Sequence, residues 1–546
     1  MQFSGVNVLD MGYEEFAKEP ALGKSLASLI VKGLSLNADK NVLCDYTWGD
    51  KDYCGGQLLQ TALALSEKIK ALSAKKRIGL VLMPSMYAVV ANCACILAGK
   101  IPVNINFTMG VDALNDCVKL ADIDTMISAK MLREKLQIST PAFPWSENYR
   151  EISELLDSLD LPLLKEIGLH AKDADYLLSK FGISENSDNE REATLIFTSG
   201  SESKPKAAIL SEKNIIANTL QVKKSAIFED GDNLLANLPV FHSFGLLFEV
   251  WYVALFGQKT LTLYSPIDIK GNIKAIREKR PTVMLGTPTF FRAYFKRATK
   301  EDFSCIRKAI SGAEKTPEGF EDLWNETFGK SYSEGYGLTE TSPVVSVNLP
   351  ERDFGYFTTG RRMGSVGKLF PGMRACVINP ETMQTLPFGE QGVLCMQGPN
   401  VFAGYYKDEA STKKVLDKDW LITGDLARID KDGFLFIDGR IKRFSKIAGE
   451  MVSHLAVESA LAKGFNVADS EVPLIAVSSR LDSEKGEAIV LLSTFDIAIP
   501  KLKEVCRNAK ISNLAIPRHI VRVDKIPLLS TGKLDLKRVA ELAKGQ

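Results

Sequence analysis

The sequence predicts an α/β protein: a large N-terminal domain of layered α/β subdomains with a small β-rich subdomain, followed by a small α+β C-terminal domain. Three observations carry this. From about Arg77 to Thr289, short apolar runs alternate with helix-like segments, the pattern of parallel α/β layers. From about Gly364 to Gly439 the texture changes to short strands separated by Gly, Pro and Asp. After Asp438-Gly439-Arg440 the charge balance changes: residues 441–546 carry 17 Lys/Arg and 12 Asp/Glu, hence +5, against −4 for residues 1–440. We therefore place two domains, 1–440 and 441–546, with the boundary near Lys442.

A chain of 546 residues is too long for one hydrophobic core and has room to bury an active site. Its 68 basic and 67 acidic residues give a formal charge of +1, which supplies no overall pull toward nucleic acid. The nine cysteines form no metal-type pairs and no secretory signal precedes them, so they read as free thiols of a reducing cytoplasm. The four histidines are too scattered to suggest a metal site.

In chain order, Ile78 to Leu82 reads as a buried strand, Pro84-Ser85 as a break, Met86 to Leu97 as a core helix and Ile101 to Val103 as the next strand. The alternative is a membrane span, because Ile78 to Gly99 is 22 residues without a formal charge. The Pro-Ser pair argues against it. Ser184 to Arg191 reads as a polar, linker-like stretch. The runs Thr194 to Phe197, Leu234 to Leu238 and Thr282 to Leu285 read as strands of the parallel layers, and Gly392 to Met396 and Gly433 to Ile437 as strands of the β-rich subdomain.

The sharpest chemical signal follows the strand at Thr194 to Phe197. In Thr198-Ser199-Gly200-Ser201-Glu202-Ser203-Lys204-Pro205-Lys206, hydroxyls and a glycine let side chains and backbone N–H groups wrap a polyphosphate, and Lys204 or Lys206 can neutralise it. A solvated Ser/Lys loop is the plain alternative, and the Walker spacing is absent. A second segment, Tyr332 to Thr341, places Tyr336-Gly337, Thr339 and Glu340 together. The tyrosine can stack on a purine, the threonine can bond a phosphate, and the carboxylate can hold Mg²⁺. A Tyr-Gly turn with a capping threonine would look the same.

These two segments, followed by Trp420-Leu421-Ile422-Thr423-Gly424-Asp425, Gly439-Arg440 and Ser530-Thr531-Gly532-Lys533, resemble the adenylate-forming superfamily in order and spacing from about Arg77 to Arg538. The superfamily includes acyl-CoA synthetases, luciferases and peptide-synthetase adenylation domains. A finer resemblance is to bacterial acyl-acyl carrier protein synthetases, including the synthetase half of the bifunctional 2-acylglycerophosphoethanolamine acyltransferase. It is carried by Thr198 to Glu202, Leu238 to Gly245, Leu285 to Phe290, Ser311 to Lys315 and Lys442 to Ser453, with Ile101 to Thr108 in support.

The resemblance implies an ATP- and Mg²⁺-dependent acid–thiol ligase that forms AMP and pyrophosphate. A fatty acid would be the substrate, and acyl carrier protein the thiol acceptor; coenzyme A is the alternative acceptor. It implies that Thr198, Ser199, Gly200, Ser201, Lys204 and Lys206 hold phosphates, and that Tyr336 stacks on adenine beside Gly312-Ala313-Glu314 and Gly337. Thr339 and Glu340 would serve phosphate and Mg²⁺, and Asp425 and Arg440 the ribose hydroxyls. Their plain readings are a turn residue and a surface ion pair.

Lys533 matches the catalytic lysine of the superfamily, Lys442 the hinge of a mobile C-terminal domain, Gly449 the thiol tunnel, and His242 a histidine bordering the acyl carboxylate. A lone histidine between phenylalanines is also a common core residue. The sequence departs from the superfamily at Ser203 and Ala207, where glycine is usual, which leaves a non-catalytic nucleotide- or lipid-binding relative as the reading from a different class. The expected location is the cytoplasm, with peripheral contact at the inner face of the membrane left open.

Overall fold

The structure, a computed structural model, describes residues 7–198, 205–447, 450–468, 470, 472–482, 486–509, 511–528 and 534–545. The chain divides into two compact units. The first holds the residues up to Thr198, Pro205–Thr423 and Arg428–Ile437; the second holds Gly424–Ala427 and the residues from Asp438 onward.

The first unit is α/β and layered, as its alternating pattern predicts. A nine-stranded sheet runs in the order Lys368–Leu369, Val344–Val347, Ser331–Gly337, Lys308–Ser311, Val283–Gly286, Leu234–Ala236, Thr260–Thr262, Asn41–Asp45 and Lys51–Cys54. The six from Ser331–Gly337 to Asn41–Asp45 are parallel. Parallel strands need cover on both faces, and here an aromatic cluster of Phe291, Phe303, Phe320, Trp324, Phe328 and Tyr332 supplies part of it. Burying each such ring stabilises the fold by roughly 2–3 kcal/mol.

A second sheet, Ile101–Asn104, Arg77–Val81, Thr125–Ser128 and Asn148–Glu151, is parallel throughout. Between its first two strands in the chain lies the helix Met86–Leu97, opened by Ser85, whose hydroxyl accepts the Ala88 N–H. The apolar stretch 78–99 is therefore strand, turn and core helix. Among the described residues, no helix is long and apolar enough to cross a membrane.

Two expectations are corrected. The run Thr194 to Phe197 is not in a parallel layer: Glu192–Thr198 pairs antiparallel with Lys206–Ser211, which pairs antiparallel with Gly404–Tyr405. Only seven residues separate the first two strands, too few for the crossover a parallel pair requires. Nor is Ser184 to Arg191 a free linker. The Ser184 carbonyl accepts from the Ser25 hydroxyl at 2.6 Å, the Glu185 carboxylate pairs with Lys24 at 3.0 Å, and Arg191 pairs with buried Glu212.

The β-rich region forms a sheet of Leu9–Asp10, Arg374–Ile378, Gly392–Gln397, Trp420–Ile429 and Leu416–Asp417, with Leu435–Arg440 also on Trp420–Ile429. In the second unit, Ile475–Asp482, Gly486–Ser493 and His519–Arg522 make a three-stranded sheet. Strand alternation puts Val477, Ile489 and Leu491 into a core with Leu461, Leu502 and Val505. It sends Ala476, Val490 and Leu492 to the opposite face, against Val539 and Ala543.

Candidate active site

In the nine-stranded sheet the chain leaves Leu234–Ala236 toward the Thr260–Thr262 side but leaves Val283–Gly286 toward Lys308–Ser311, so the connections diverge between two neighbouring strands. A crevice outside the carboxyl ends of such strands is the usual ligand position in an open parallel sheet. Two of the motif segments lie at this point. Leu238 to His242 follows the first strand, and Thr287, whose hydroxyl caps the helix Pro288–Arg292 by accepting the Phe290 N–H at 3.2 Å, follows the second.

The loop carrying His242 is tightly held. His242 is half-buried at the start of the short helix Ser243–Leu246, its ring 4.9 Å from that of Phe241. Gly245 is required there, because a Cβ would sit 2.4 Å from the Pro239 carbonyl oxygen. Beneath the loop, in the π-turn Leu247–Trp251, buried Glu249 accepts the Leu238 N–H on Oε1 at 2.7 Å. Burial holds the Glu249 carboxyl well above the usual carboxylate range. A lone Glu in the apolar run Leu246 to Phe256 was the signal for it, and the motif reading passes over it.

The ends of the next strands converge on the same side of the sheet. Ser311 pairs with Glu334, and Gly312, just beyond, lies next to the Phe244 ring. Ala313 takes a left-handed φ of 66°, which costs an L-residue on the order of 1 kcal/mol and is a kind of strain that concentrates at functional sites. Glu314 Oε2 accepts from the Thr289 hydroxyl at 2.6 Å, joining two of the segments. Tyr336 and Gly337 end the strand Ser331–Gly337 at a register shift. Gly337 cannot carry a side chain, since a Cβ would fall 1.9 Å from the Pro343 carbonyl oxygen.

Thr339 and Glu340 form the 3-10 turn Thr339–Thr341, anchored by the Thr341 hydroxyl, which donates to the Pro343 carbonyl at 2.6 Å. Glu340 Oε1 accepts from the Tyr405 hydroxyl at 2.6 Å, and Lys206 Nζ lies 5.3 Å from the centre of the Tyr405 ring. Lys206 pairs with Thr198 at the loop end of the hairpin formed by Glu192–Thr198 and Lys206–Ser211. Thus Lys206 and Glu340, from separate motifs, meet around Tyr405, which the sequence reading missed; the aromatic pair after Gly404 was its only mark. Ala207, where the superfamily usually has glycine, is buried in the strand with its carbonyl accepting the Tyr406 N–H at 2.8 Å.

In the second unit, Arg440 Nε lies 3.0 Å from Oδ1 of buried Asp425. Lys442 falls in the 3-10 turn Ile441–Arg443 that follows. Next comes the hairpin of Phe444–Ile447 and Glu450–Ser453, whose base is fixed by Arg443 on Glu458 and by Ser445 Oγ 2.7 Å from His454 Nε2. Burial first, and Arg443 second, push the His454 imidazole down to about 4. Ser199, Gly200, Ser201, Lys204, Gly449 and Lys533 lie outside the described residues.

An anionic polyphosphate with a hard divalent cation suits the donors present in the first unit: an ammonium, hydroxyls and a carboxylate. Among the described residues, no group of three or more His, Cys, Asp or Glu is placed to hold a metal ion. One carboxylate supplemented by ligand phosphates is a common arrangement for Mg²⁺.

Comparison with known proteins adds the following. The chain is 29% identical over 359 residues to the long-chain-fatty-acid–CoA ligase of Salmonella typhimurium, covering 65% of this chain and 62% of that protein. It is 30% identical over 356 residues to the mitochondrial medium-chain acyl-CoA ligase ACSF2 of Danio rerio, covering 64% of this chain and 58% of that one. The chain thus spans about three fifths of the length of these curated relatives. Among solved structures, ATP-bound MatB from Rhodopseudomonas palustris superposes with a TM-score of 0.76 at 22% identity, over 95% of this chain and 99% of that one, a likeness of fold. The AMP-binding enzyme family model matches residues 36–406, more than half of the sequence and the span from just before the strand Asn41–Asp45 to just past Tyr405, and the chain belongs to that family.

Proposed function

We propose that the protein activates a fatty acid with ATP and passes the acyl group to a phosphopantetheine thiol. The observation that carries this reading is the meeting of Lys206 and Glu340 around Tyr405 at the mouth of the Ser/Lys loop, on the chain of an AMP-binding family member. A carboxylate oxygen attacks the α-phosphorus of ATP, giving acyl-AMP and pyrophosphate. The thiol then attacks the acyl carbon, forming the thioester and releasing AMP.

Each residue has one task in this scheme. Thr198, Ser199, Gly200, Ser201, Lys204, Lys206 and Thr339 hold the phosphates. Tyr336 and Gly337 with Gly312-Ala313-Glu314 take the adenine, Asp425 and Arg440 the ribose hydroxyls, and His242 borders the acyl carboxylate. Glu340 would hold Mg²⁺, which screens the phosphate charge when bound. Lys533 reaches the carboxylate and α-phosphate oxygens where negative charge builds, a preorganised electrostatic contribution. The part beyond 440 then turns about Lys442 and brings the segment with Gly449 to the thiol. A cytoplasmic site of action, with substrate drawn from the inner face of the membrane, belongs to the same proposal.

The names of the relatives support coenzyme A as the acceptor. Acyl carrier protein is the second reading, favoured by the +5 charge of residues 441–546, which suits an acidic partner and makes encounter salt-dependent. Measuring kcat/KM with each thiol at two salt concentrations decides between them. Thioester formation with coenzyme A alone, indifferent to salt, removes the carrier-protein reading; failure with both thiols while acyl-AMP and pyrophosphate are formed removes the transfer step.

A further inference from the structure

Residues 399–406 bind two of the motif segments to each other. The Asn400 side chain donates to the Thr341 carbonyl at 2.8 Å, and the Phe402 N–H donates to the Glu340 carbonyl at 2.9 Å, so the turn carrying Glu340 is held at its backbone. The strand Gly404–Tyr405 adds to Lys206–Ser211 with Tyr405 opposite Ala208, and the Tyr406 N–H closes on Ala207. Between these two attachments stands the Tyr405 ring. It is buried, lies edge-on to Phe402 at 5.0 Å, and has its hydroxyl on Glu340 Oε1 and the Lys206 ammonium near its face.

We infer that Tyr405 is a positioning residue for the metal-binding carboxylate: its hydroxyl engages Oε1 of Glu340, leaving Oε2 as the oxygen offered to a divalent cation. The inference rests on the reading of Glu340 as the Mg²⁺ ligand. Three physical points support it. Mg²⁺ demands near-ideal octahedral geometry and is usually held by one or two carboxylates together with substrate phosphates, and a hydrogen bond to one oxygen restricts rotation of the carboxylate and disfavours chelation through both. A hydrogen-bonded partner of a metal ligand fixes that ligand's orientation, and losing it typically lowers metal affinity by about 10- to 100-fold. The ring beside Lys206 also keeps the cation that would neutralise the phosphates at a fixed distance from the carboxylate that would hold the metal, a separation flexible side chains alone would not maintain.

Tyr405→Phe removes one oxygen and keeps the ring, its contact with Phe402 and its face toward Lys206, so the fold is retained. Mn²⁺ is the probe, titrated into the full-length protein with a non-hydrolysable ATP analogue and followed by electron paramagnetic resonance, alongside the thermal melting curve. The expected result is a loss of Mn²⁺ affinity by about 10-fold or more in Tyr405→Phe, with unchanged melting and unchanged analogue affinity in the absence of metal. A role in packing alone would leave Mn²⁺ affinity within twofold of the parent, which overturns the inference. Glu340→Gln, measured in parallel, separates the two levels. If it weakens Mn²⁺ binding and Tyr405→Phe does not, only the positioning role falls; if it leaves Mn²⁺ binding unchanged, the metal reading of Glu340 falls and the inference with it.

Discussion

Arg440 Nε meets Asp425 Oδ1 at 3.0 Å, and the two partners differ sharply in exposure: the Asp425 side chain is 4% accessible, that of Arg440 57%. An ion pair with one exposed partner contributes little to stability, about 1 kcal/mol or less. The pair therefore adds little to the scaffold, and under the proposed function it serves the ribose. Arg440→Ala should raise KM for ATP by about 10-fold, the loss of a charge-assisted hydrogen bond. KM for the fatty acid and the urea midpoint should stay near the parent values. Unchanged ATP kinetics would mark it as a surface ion pair.

Glu249 supplies a second test. Gln is near-isosteric and keeps a carbonyl oxygen to accept the Leu238 N–H, whereas Leu leaves that N–H without its buried acceptor. That costs roughly 1–3 kcal/mol and frees the loop that ends at His242. Glu249→Gln should keep fatty-acid KM within about threefold of the parent, and Glu249→Leu should raise it by about 10-fold. Equal effects of the two substitutions would show that the hydrogen bond to Leu238 does not hold the loop.

The second unit should be sensitive to acid through His454. Its imidazole is neutral in the fold down to about pH 4, whereas in the unfolded chain it protonates near 6.5. Its contribution to stability is complete above pH 6.5 and is lost as the pH falls from 6.5 to 4, amounting to about 3 kcal/mol over that window. An NMR titration of the ring carbons measures this directly. A midpoint near 4 is expected, and one near 6.5 would mean that burial and the neighbouring Arg443 do not exclude the charged form.

Much of this was legible because the relevant residues are contiguous. The stretches 197–206 and 332–341 display hydroxyls, lysine and carboxylate in short segments, and the strand, break and helix of 78–97 are written in one apolar run interrupted by Pro84-Ser85. What was not legible depends on distant partners. Tyr405 is 65 residues from Glu340, and Ser184 is 159 from the Ser25 that pins it. The apolar run Thr194 to Phe197 would look the same in a parallel sheet or a hairpin, so only the shortness of the following loop distinguishes them. Glu249 was hidden for a different reason: a single charge among apolar residues has no motif, and its meaning lies in the backbone N–H it meets.

Separating the half-reactions tests the proposed role of Lys533. Lys533→Ala should lower acyl-AMP formation by about 100-fold or more, as when a preorganised electrostatic group is removed. Transfer from chemically supplied acyl-AMP to the thiol should persist. Equal losses in both steps would contradict a lysine that acts in the first step only.

The most direct measurement is exchange of labelled pyrophosphate into ATP, with and without a fatty acid, on the full-length protein. The account predicts exchange that requires both the acid and Mg²⁺ and that Glu340→Gln removes most of it while the melting curve is unchanged. Folded protein that gives no exchange with fatty acids across a range of chain lengths, or exchange that proceeds equally without any acid, would contradict it.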